Sequence, residues 1–509
     1  MRGPAPTTPE RPYVFLVRLS GELSIKAKGT RQRFTSRLVA NLEDALASSG
    51  IDFELARTWS RLFVTASSPE ADAALARVFG VSSVSRVEHR TWESLDDVVR
   101  HGEEIFAPRL AGKRFAVRAR RVEPQQIPFR SADVDRELGT RLLPHAARVD
   151  LGSPEVTAYV ELHAGQAYFF SDSVPGPDGL PLGRGGRAVA LVSGGFDSVV
   201  ASWLLLRRGV ELEYVFCHLG GAPHRDGTLA VIKVLADRWS YGVRPRLHMV
   251  DFQPLVAELE ERCPQALWQV VLKRQMLRAA DQVARAVGAA AIVTGESVGQ
   301  VSSQTLQNLA VISRATDLPV LRPLCGTNKE EIFVYARRIG TFDLSAKVPE
   351  YCALTRDHPA THASFKRVNE AEARLELGHV RLQARERMTL DLRALDLGRA
   401  AATSCEVESV PDGAVVVDLR SPEAFRGWHY PQAQRLDYFE ALKTWPQLDR
   451  GRIYVFYCEV GIKSAHLAEV MREAGFESYH LKDGLKTLRR WLDGQDPALK
   501  AVLSPALLD

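Results

Sequence analysis

Two short stretches carry residue types at spacings that suit chemistry. The first is Ser193-Gly194-Gly195-Phe196-Asp197-Ser198, which follows the apolar run Ala188 to Val192 and precedes a helix-period segment reaching Arg208 and Gly209. Glycine lets backbone N–H groups approach an anion, and the N-terminus of the following helix adds the positive end of its dipole, so the loop reads as a phosphate cradle. The Gly-Lys-Ser/Thr ending of a kinase-type P-loop is missing. A carboxylate in an anion cradle is unfavourable unless it serves a cation, which makes Asp197 the candidate for holding Mg2+ or the pyrophosphate geometry. The second stretch is "CEVGIKS", Cys458 to Ser464, between the strand-like "RIYVFY" and the helix-like "AHLAEVMREAGF". A cysteine there is either a nucleophile or a buried thiol. A cysteine phosphatase would need arginine at the position of Ser464 to bind phosphate bidentately, so sulfur chemistry is favoured over phosphate chemistry. Loop amides, the following helix N-terminus and Lys463 would lower the thiol pKa.

Elements must position these loops, and 509 residues are too many for one hydrophobic core. With 45% hydrophobic and 25% charged residues the chain reads as globular, and no apolar run approaches the roughly 20 residues of a membrane span. The opening "MRGPAPTTPERP" has no apolar segment of the signal-peptide kind, so it is expected to be a disordered lead-in and the protein cytoplasmic. The six cysteines form no CxxC pair, which argues against structural zinc, an iron–sulfur cluster or a secreted scaffold, and no metal site of protein ligands is expected. Net charge is only +4, so the local distribution carries the information. Residues 13 to 90 read as a small α+β unit whose first helix buries Phe34, Leu38, Leu42 and Leu46. Between Arg18 and Arg37 stand six Lys/Arg, among them Lys26, Lys28, Arg31 and Arg33, against the single acid Glu22. A second cluster has nine Lys/Arg between Lys113 and Arg148, including Arg118, Arg120, Arg121 and Arg130, against four acids. Two basic modules in series favour RNA as a partner. The Pro/Gly-rich "SVPGPDGLPLGRGG", 173 to 186, marks a linker, and alternating strands and helices beyond it indicate a parallel sheet. Residues 364 to about 400, rich in Glu, Arg and Leu, read as a helical connector that would let the C-terminal part swing.

"SGGFDS" matches the pyrophosphate loop of the ATP pyrophosphatases, and "FCHLGGAPH", "VTGESVGQVSSQTLQNL", "LRPLCGTNKEEI" and "PEYCA" follow it in order. Together with "GELSIKAKGTRQRF" near the start and "FAVRARR" through "PEVTAYVEL", the chain resembles the tRNA 4-thiouridine synthetase family, in the form that carries a C-terminal rhodanese domain. The last segment supports this through "AVVVDLRSPEAFRGWHYPQAQRLD", "IYVFYCEVGIKS" and "HLKDGLKTLRRW", which resemble a rhodanese entry strand, active-site loop and closing helix. The resemblance implies a multidomain α/β and α+β fold: a ferredoxin-like domain over 1–90, a THUMP domain over 91–173, a doubly wound parallel-sheet ATP pyrophosphatase domain over 174–363, the connector 364–404, and a rhodanese domain over 405–509. It further implies that Leu191 and Val192 meet ATP, that Ser193 to Ser198 wrap its phosphates, that Lys273, Gly295 and Gln304 contact the nucleotide, and that Lys329 lies near the activated uracil.

The activity implied is adenylation of a tRNA uridine, position eight in the family, followed by replacement of O4 with sulfur from a persulfide on Cys458. Cys352 is implied as the resolving partner in a Cys352–Cys458 disulfide. Implied cofactors are ATP and Mg2+; implied partners are tRNA, a cysteine desulfurase and a thiamine-pathway sulfur carrier, and a homodimer is compatible with the reading. Two alternatives stand beside it: another adenylating enzyme with the same loop, and a sulfur relay acting in thiamine thiazole synthesis.

Overall fold

The structure, a computed structural model, describes residues 12–57, 61–219, 222–348, 359–376, 378–395, 405–458, 461–482 and 484–493. It divides into two compact units, one formed mainly by residues 1–185 and the other by the remainder apart from 207–209 and 241–243.

The first unit is built on one sheet. Its strand order is Phe53–Arg57, Leu62–Ala66, Tyr13–Leu19, Val81–Thr91, Gln166–Phe170, Val156–His163, Arg114–Arg121, Arg148–Val149, with Val174–Pro175 pairing against Val81–Thr91. The first four strands, with helices Lys28–Ser48 and Ala71–Leu75, make the βαββαβ arrangement of a ferredoxin-like domain. The expected stripe is inside: Leu38, Leu42 and Leu46 are fully buried, and Phe34 packs at the edge of the same core. Strand Val81–Thr91 is eleven residues long, enough to pair Tyr13–Leu19 with one end and Gln166–Phe170 with the other. It thereby fuses two domains with separate cores into one sheet. Part of the stretch read as a linker also belongs here, because Val174–Pro175 adds to that strand and the Gly176 amide donates to the Ser82 carbonyl.

The second unit contains two parallel sheets. The first runs Val320–Leu321, Ile292–Val293, Arg187–Leu191, Glu211–His218, Arg246–Asp251, all parallel, and ends with Met388–Asp391, which is antiparallel. The second runs Glu406–Val407, Glu477–Leu481, Ile453–Tyr457, Val415–Asp418, Gln434–Arg435, all parallel, with apolar cores on both faces. Short continuous apolar strands such as "RAVAL" and "IYVFY" suit burial on two faces. The expected fold class therefore holds throughout.

The segment expected to be a helical connector is different in its described part. Helices Phe365–Glu372 and Gly378–Arg385, with the turn between them, lay Val368, Ala371, Leu375, Val380 and Ala384 into the core of the first of these sheets. Strand Met388–Asp391 then closes the sheet edge, where His248 is 1% exposed, with Nδ1 3.1 Å from Thr389 Oγ1 and Nε2 3.1 Å from Glu213 Oε2. One charged residue of the segment is satisfied inside, by partners on helix Trp268–Val287. Glu372, 4% exposed, accepts from Arg274 Nε at 2.8 Å, Arg274 Nη2 at 3.0 Å, Gln275 Nε2 at 2.9 Å and Arg278 Nη2 at 2.8 Å.

A carboxylate with four donors in a closed site leaves uncompensated charge if it is removed. Glu372→Ala should therefore destabilise the second unit by about 3 kcal/mol. Urea unfolding of the full chain, followed by Trp fluorescence, should show a lower midpoint for the transition that carries Trp203 and Trp268.

Candidate active site

In the sheet built on Arg187–Leu191 the chain order of the parallel strands reverses between Arg187–Leu191 and Ile292–Val293. The crevice beyond the carboxyl ends of strands at such a reversal is where open α/β sheets bind ligands. Ser193 to Ser198 leave the first strand there, and Thr294 to Gln304 leave the second. Gly194 has φ +73, and a Cβ on it would lie 2.7 Å from Thr228 Oγ1 and 2.9 Å from Thr228 Cα. Gly295 is tighter, since a Cβ there would lie 2.5 Å from the Ser198 amide nitrogen and 2.6 Å from the Asp197 carbonyl carbon. Both glycines are thus required by close backbone approach, the first also by its left-handed conformation. The loop is pinned from within by the Ser198 hydroxyl, which accepts from the Ser193 amide at 3.3 Å, and from below by His224 Nε2, 3.0 Å from the Ser193 carbonyl. Burial pushes the His224 pKa down to about 4, so its imidazole is neutral near pH 7 and donates to that carbonyl.

The charged groups converge on the loop in two sets. Asp197, at the start of helix Phe196–Leu206, accepts from Lys329 Nζ at 2.8 Å through Oδ1 and from Gln300 Nε2 at 2.8 Å through Oδ2. Lys329 opens helix Lys329–Ile339, whose start is fixed by a capping box between Asn328 and Glu331, and its Nζ lies 5.6 Å from the ring centres of Phe196 and Phe333. The second set centres on Glu296, 7% exposed, which binds Lys273 Nζ at 3.0 Å, Arg322 Nε at 2.8 Å and the Thr294 hydroxyl at 3.1 Å. Burial pushes the Glu296 carboxyl up, but Lys273 and Arg322 outweigh it and hold it below the ordinary carboxylate value. Gln304 is buried and its Oε1 accepts from the Ser297 amide at 3.4 Å, while Val192 is buried and Leu191 half-buried at the strand end. The residues expected to meet the nucleotide are therefore neighbours in space. Sequence reasoning missed Glu296, His224, Gln300 and Arg322. All four stood inside motifs already quoted, and for Glu296 and His224 the signal was a polar residue directly after a short apolar strand or at a helix start.

Cys458 ends strand Ile453–Tyr457, and helix Ile462–Glu473 begins after Gly461, which takes φ +86. The thiol is only 4% exposed, more covered than a polar loop suggested, and packs with Tyr454, Phe456 and Leu467. Ser464 Oγ lies 3.6 Å from Cys458 Sγ and 3.0 Å from the Gly461 carbonyl. Lys463, the cation expected beside the thiol, has its Nζ 5.4 Å from the Tyr438 ring centre. Beneath the strand end Arg420 clamps the fully buried Asp418 through Nη2 at 2.7 Å and Nε at 3.0 Å, and the Tyr457 hydroxyl accepts from the Tyr430 amide at 3.1 Å. Cys352 lies outside the described residues.

Models of known families match the chain in four places: a thiamine biosynthesis protein (ThiI) model over residues 183–377, a ThiI ferredoxin-like domain over 14–85, a THUMP domain over 93–172 and a rhodanese-like domain over 406–490. A tRNA sulfurtransferase of Pyrobaculum aerophilum is 37% identical over 476 residues, covering 92% of this chain and 96% of that protein. The chain belongs to the tRNA sulfurtransferase family. A second member, from Desulfurococcus amylolyticus, is 36% identical over 94% of this chain and 99% of its own length. Among solved structures, a 4-thiouridine synthetase–RNA complex with bound ATP matches with a TM-score of 0.65 and 30% identity, covering 74% of this chain and 99% of that one.

Of the basic residues expected to face RNA, Lys28, Arg33, Lys113, Arg118, Arg120 and Arg130 are exposed, and Lys26, Arg31 and Arg121 half-buried. Arg121 is engaged locally: Nη1 donates to the carbonyls of Pro124, Ile127 and Phe129 at 3.3, 3.4 and 2.9 Å, tying a turn together. Arg118 Nη2 donates to the Leu151 carbonyl at 3.0 Å. In the THUMP-matched region of this chain, structural and surface arginines are mixed within one basic run.

Two outcomes follow. Gly295→Ala should destabilise the second unit by about 1–3 kcal/mol through overpacking against backbone, whereas Gly195→Ala should cost less. A Cβ on Gly195 meets only Ser193 Oγ, at 3.6 Å, and paired melting curves check the contrast. His224 has a folded pKa depressed to about 4 from an ordinary 6.5. The unfolded chain binds the proton first, so the stability His224 contributes is present above about pH 6.5 and lost as pH falls towards 4. His224→Gln, which still offers a side-chain N–H, should flatten this part of the pH dependence in unfolding titrations between pH 7 and 4.

Proposed function

We propose that this chain is an ATP-dependent tRNA uracil 4-sulfurtransferase acting in the cytoplasm, and that its uridine is position eight of tRNA. The observation that carries the reading is the convergence of Asp197, Lys329 and Lys273 on a glycine loop at the reversal point of one sheet, in the same chain as a cysteine at a helix N-terminus in a rhodanese-like domain. The ATP-bound, RNA-bound relative supports ATP and tRNA as ligands.

In this reading the loop amides of Ser193 to Ser198, with Leu191, Val192, Gly295 and Gln304 beside them, bind ATP. Lys273 and Lys329 meet its phosphate charge and so exchange Glu296 and Asp197 for the nucleotide. Uracil O4 attacks the α-phosphorus, pyrophosphate leaves and the N3 proton is lost, giving an O4-adenylate; Lys329 stabilises the charge developing on the phosphate. The terminal sulfur of a Cys458 persulfide adds at C4 and AMP leaves. Cys352 then attacks Cys458 Sγ, which forms the Cys352–Cys458 disulfide, leaves sulfur on C4 and returns a proton to N3. A dithiol reductant restores both thiols. Val348, four residues before Cys352, packs against the loop: a Cβ on Gly194 would lie 3.1 Å from its Cγ1.

Mg2+ bound with nucleotide phosphates takes one or two protein carboxylates and keeps several waters. Asp197 fits that demand, because each of its oxygens has one described partner and retains acceptor capacity. Bound there, the ion would neutralise charge on the leaving pyrophosphate. Lys26, Lys28, Arg31, Arg33, Lys113, Arg118, Arg120 and Arg130 are assigned to the tRNA backbone, with Arg121 as a support for its turn. A cysteine desulfurase supplies the persulfide. Delivery of sulfur to a thiamine thiazole sulfur carrier is a second reading, supported by the description of the model matched over 183–377.

With desulfurase, cysteine, ATP and tRNA, Cys458→Ala should lose both the added sulfur on its peptide and 4-thiouridine formation. Asp197→Ala should load sulfur and bind tRNA but fail to thiolate, and Cys352→Ala should load but stop after limited turnover. Nucleoside and peptide mass spectrometry read all three. Full thiolation by Asp197→Ala would sink the adenylation step, and sustained wild-type turnover by Cys352→Ala would remove its resolving role.

A further inference from the structure

The first turns of helix Ala222–Trp239 gather separate parts of the second unit. His224 Nε2 is 3.0 Å from the carbonyl of Ser193, the first residue of the phosphate loop. Thr228 backs Gly194, and Val348 packs on the same turns, since a Cβ on Gly227 would lie 2.9 Å from its Cγ2. Between these residues stands Arg225, whose guanidinium binds the carboxylate of Glu469 through Nη1 while its Nε donates to Asp226 Oδ1 at 3.0 Å. Glu469 belongs to helix Ile462–Glu473, the helix that begins at the Cys458 loop, and the two helices pack against each other.

Most ion pairs on a protein surface contribute little. This one is more enclosed: the side chains of Arg225 and Glu469 are 25% and 15% exposed, and the buried Cys405 lies close enough to feel both charges. The position is also specific. Glu469 is seven residues beyond Ile462, which is about 10 Å along a helix, so it sits two turns from the sulfur-carrying loop. Arg225 is adjacent in sequence to the residue that holds the Ser193 carbonyl. The pair thus connects, over a short span, the cradle for the adenylating nucleotide to the helix that presents the sulfur cysteine.

The chemistry demands a contact that can both form and break. Cys458 is 4% exposed, and loading by a separate desulfurase needs its loop to be reached, whereas delivery needs the loop held near the adenylate. A charge pair with partial water access meets both demands better than an apolar seam, because each charge regains solvation when the contact opens.

Resting on the function proposed above, we propose that Arg225 and Glu469 form a docking latch that holds the rhodanese-like domain on the adenylation domain in the orientation for sulfur delivery. They are positioning residues; neither touches the reacting atoms.

The test uses the full-length protein with Arg225→Glu, Glu469→Arg and the double swap, each assayed with two sulfur sources. Free sulfide bypasses the rhodanese-like domain, and a cysteine desulfurase with cysteine requires it. Each single reversal should lower desulfurase-driven 4-thiouridine formation about tenfold, and the swap should recover it to within about threefold of wild type. Sulfide-driven formation and persulfide loading of Cys458 should stay at wild-type levels in all three. Hydrogen exchange of helix Ile462–Glu473, read without any substrate, should rise in the single variants and fall back in the swap. Wild-type desulfurase-driven rates in the single variants, or no recovery in the swap, overturn the latch. Equal loss with both sulfur sources overturns it too, and assigns Arg225 to the adenylation site. If the wild type forms no 4-thiouridine from either source, the functional reading fails, and the hydrogen-exchange result still decides whether the two residues hold the domains together.

Discussion

The backbone of Gly295 lies against the backbone of Asp197 and Ser198, and the rest of the candidate site depends on that contact. Two parallel strands end side by side where their order reverses, and what leaves them must share one small space. A Cβ on Gly295 would force the loops apart. With none, the amides of the first loop and the polar residues of the second come within reach of one ligand, and Lys329 and Lys273 can approach from two other helices. The glycine is therefore less a hinge than a spacing constraint.

That closeness creates an electrostatic problem. Cations gathered at one loop repel each other, and a carboxylate beside them would repel an anion. The structure resolves both by pairing: Asp197 with Lys329, and Glu296 with Lys273 and Arg322. Paired in this way, the charges are already desolvated in part and already aimed. Glu296 has Arg322 and the Thr294 hydroxyl as well as Lys273, so its buried charge does not depend on one partner.

Much of this was legible in the sequence, because the relevant signals are local. A strand, a glycine loop and a helix occupy consecutive residues, so the cradle could be placed, and the Leu38, Leu42, Leu46 stripe announced its own burial. What stayed hidden depends on residues far apart in the chain. Glu372 reads as one more exposed acid of a charged helix until Arg274, Gln275 and Arg278 surround it. Arg121 cannot be told from its neighbours by charge, since its difference is a turn that folds back onto it. The burial of Cys458 likewise comes from helices on either side, which no reading of the loop alone could supply.

The antiparallel strand Met388–Asp391 has a consequence for how the protein is made. Its partner Arg246–Asp251 sits at the sheet edge, and the register joins Arg246 to Asp391, 145 residues later. A ribosome adding about 5–20 residues per second needs roughly 7–30 s to cover that distance. Through that interval the nascent sheet carries an open edge, able to pair with another chain. Closure arrives about 15 residues ahead of the rhodanese-like domain, so this sheet is sealed shortly before the C-terminal domain begins to emerge. A chain cut at the end of its family match near residue 377 would keep the exposed edge for its whole lifetime.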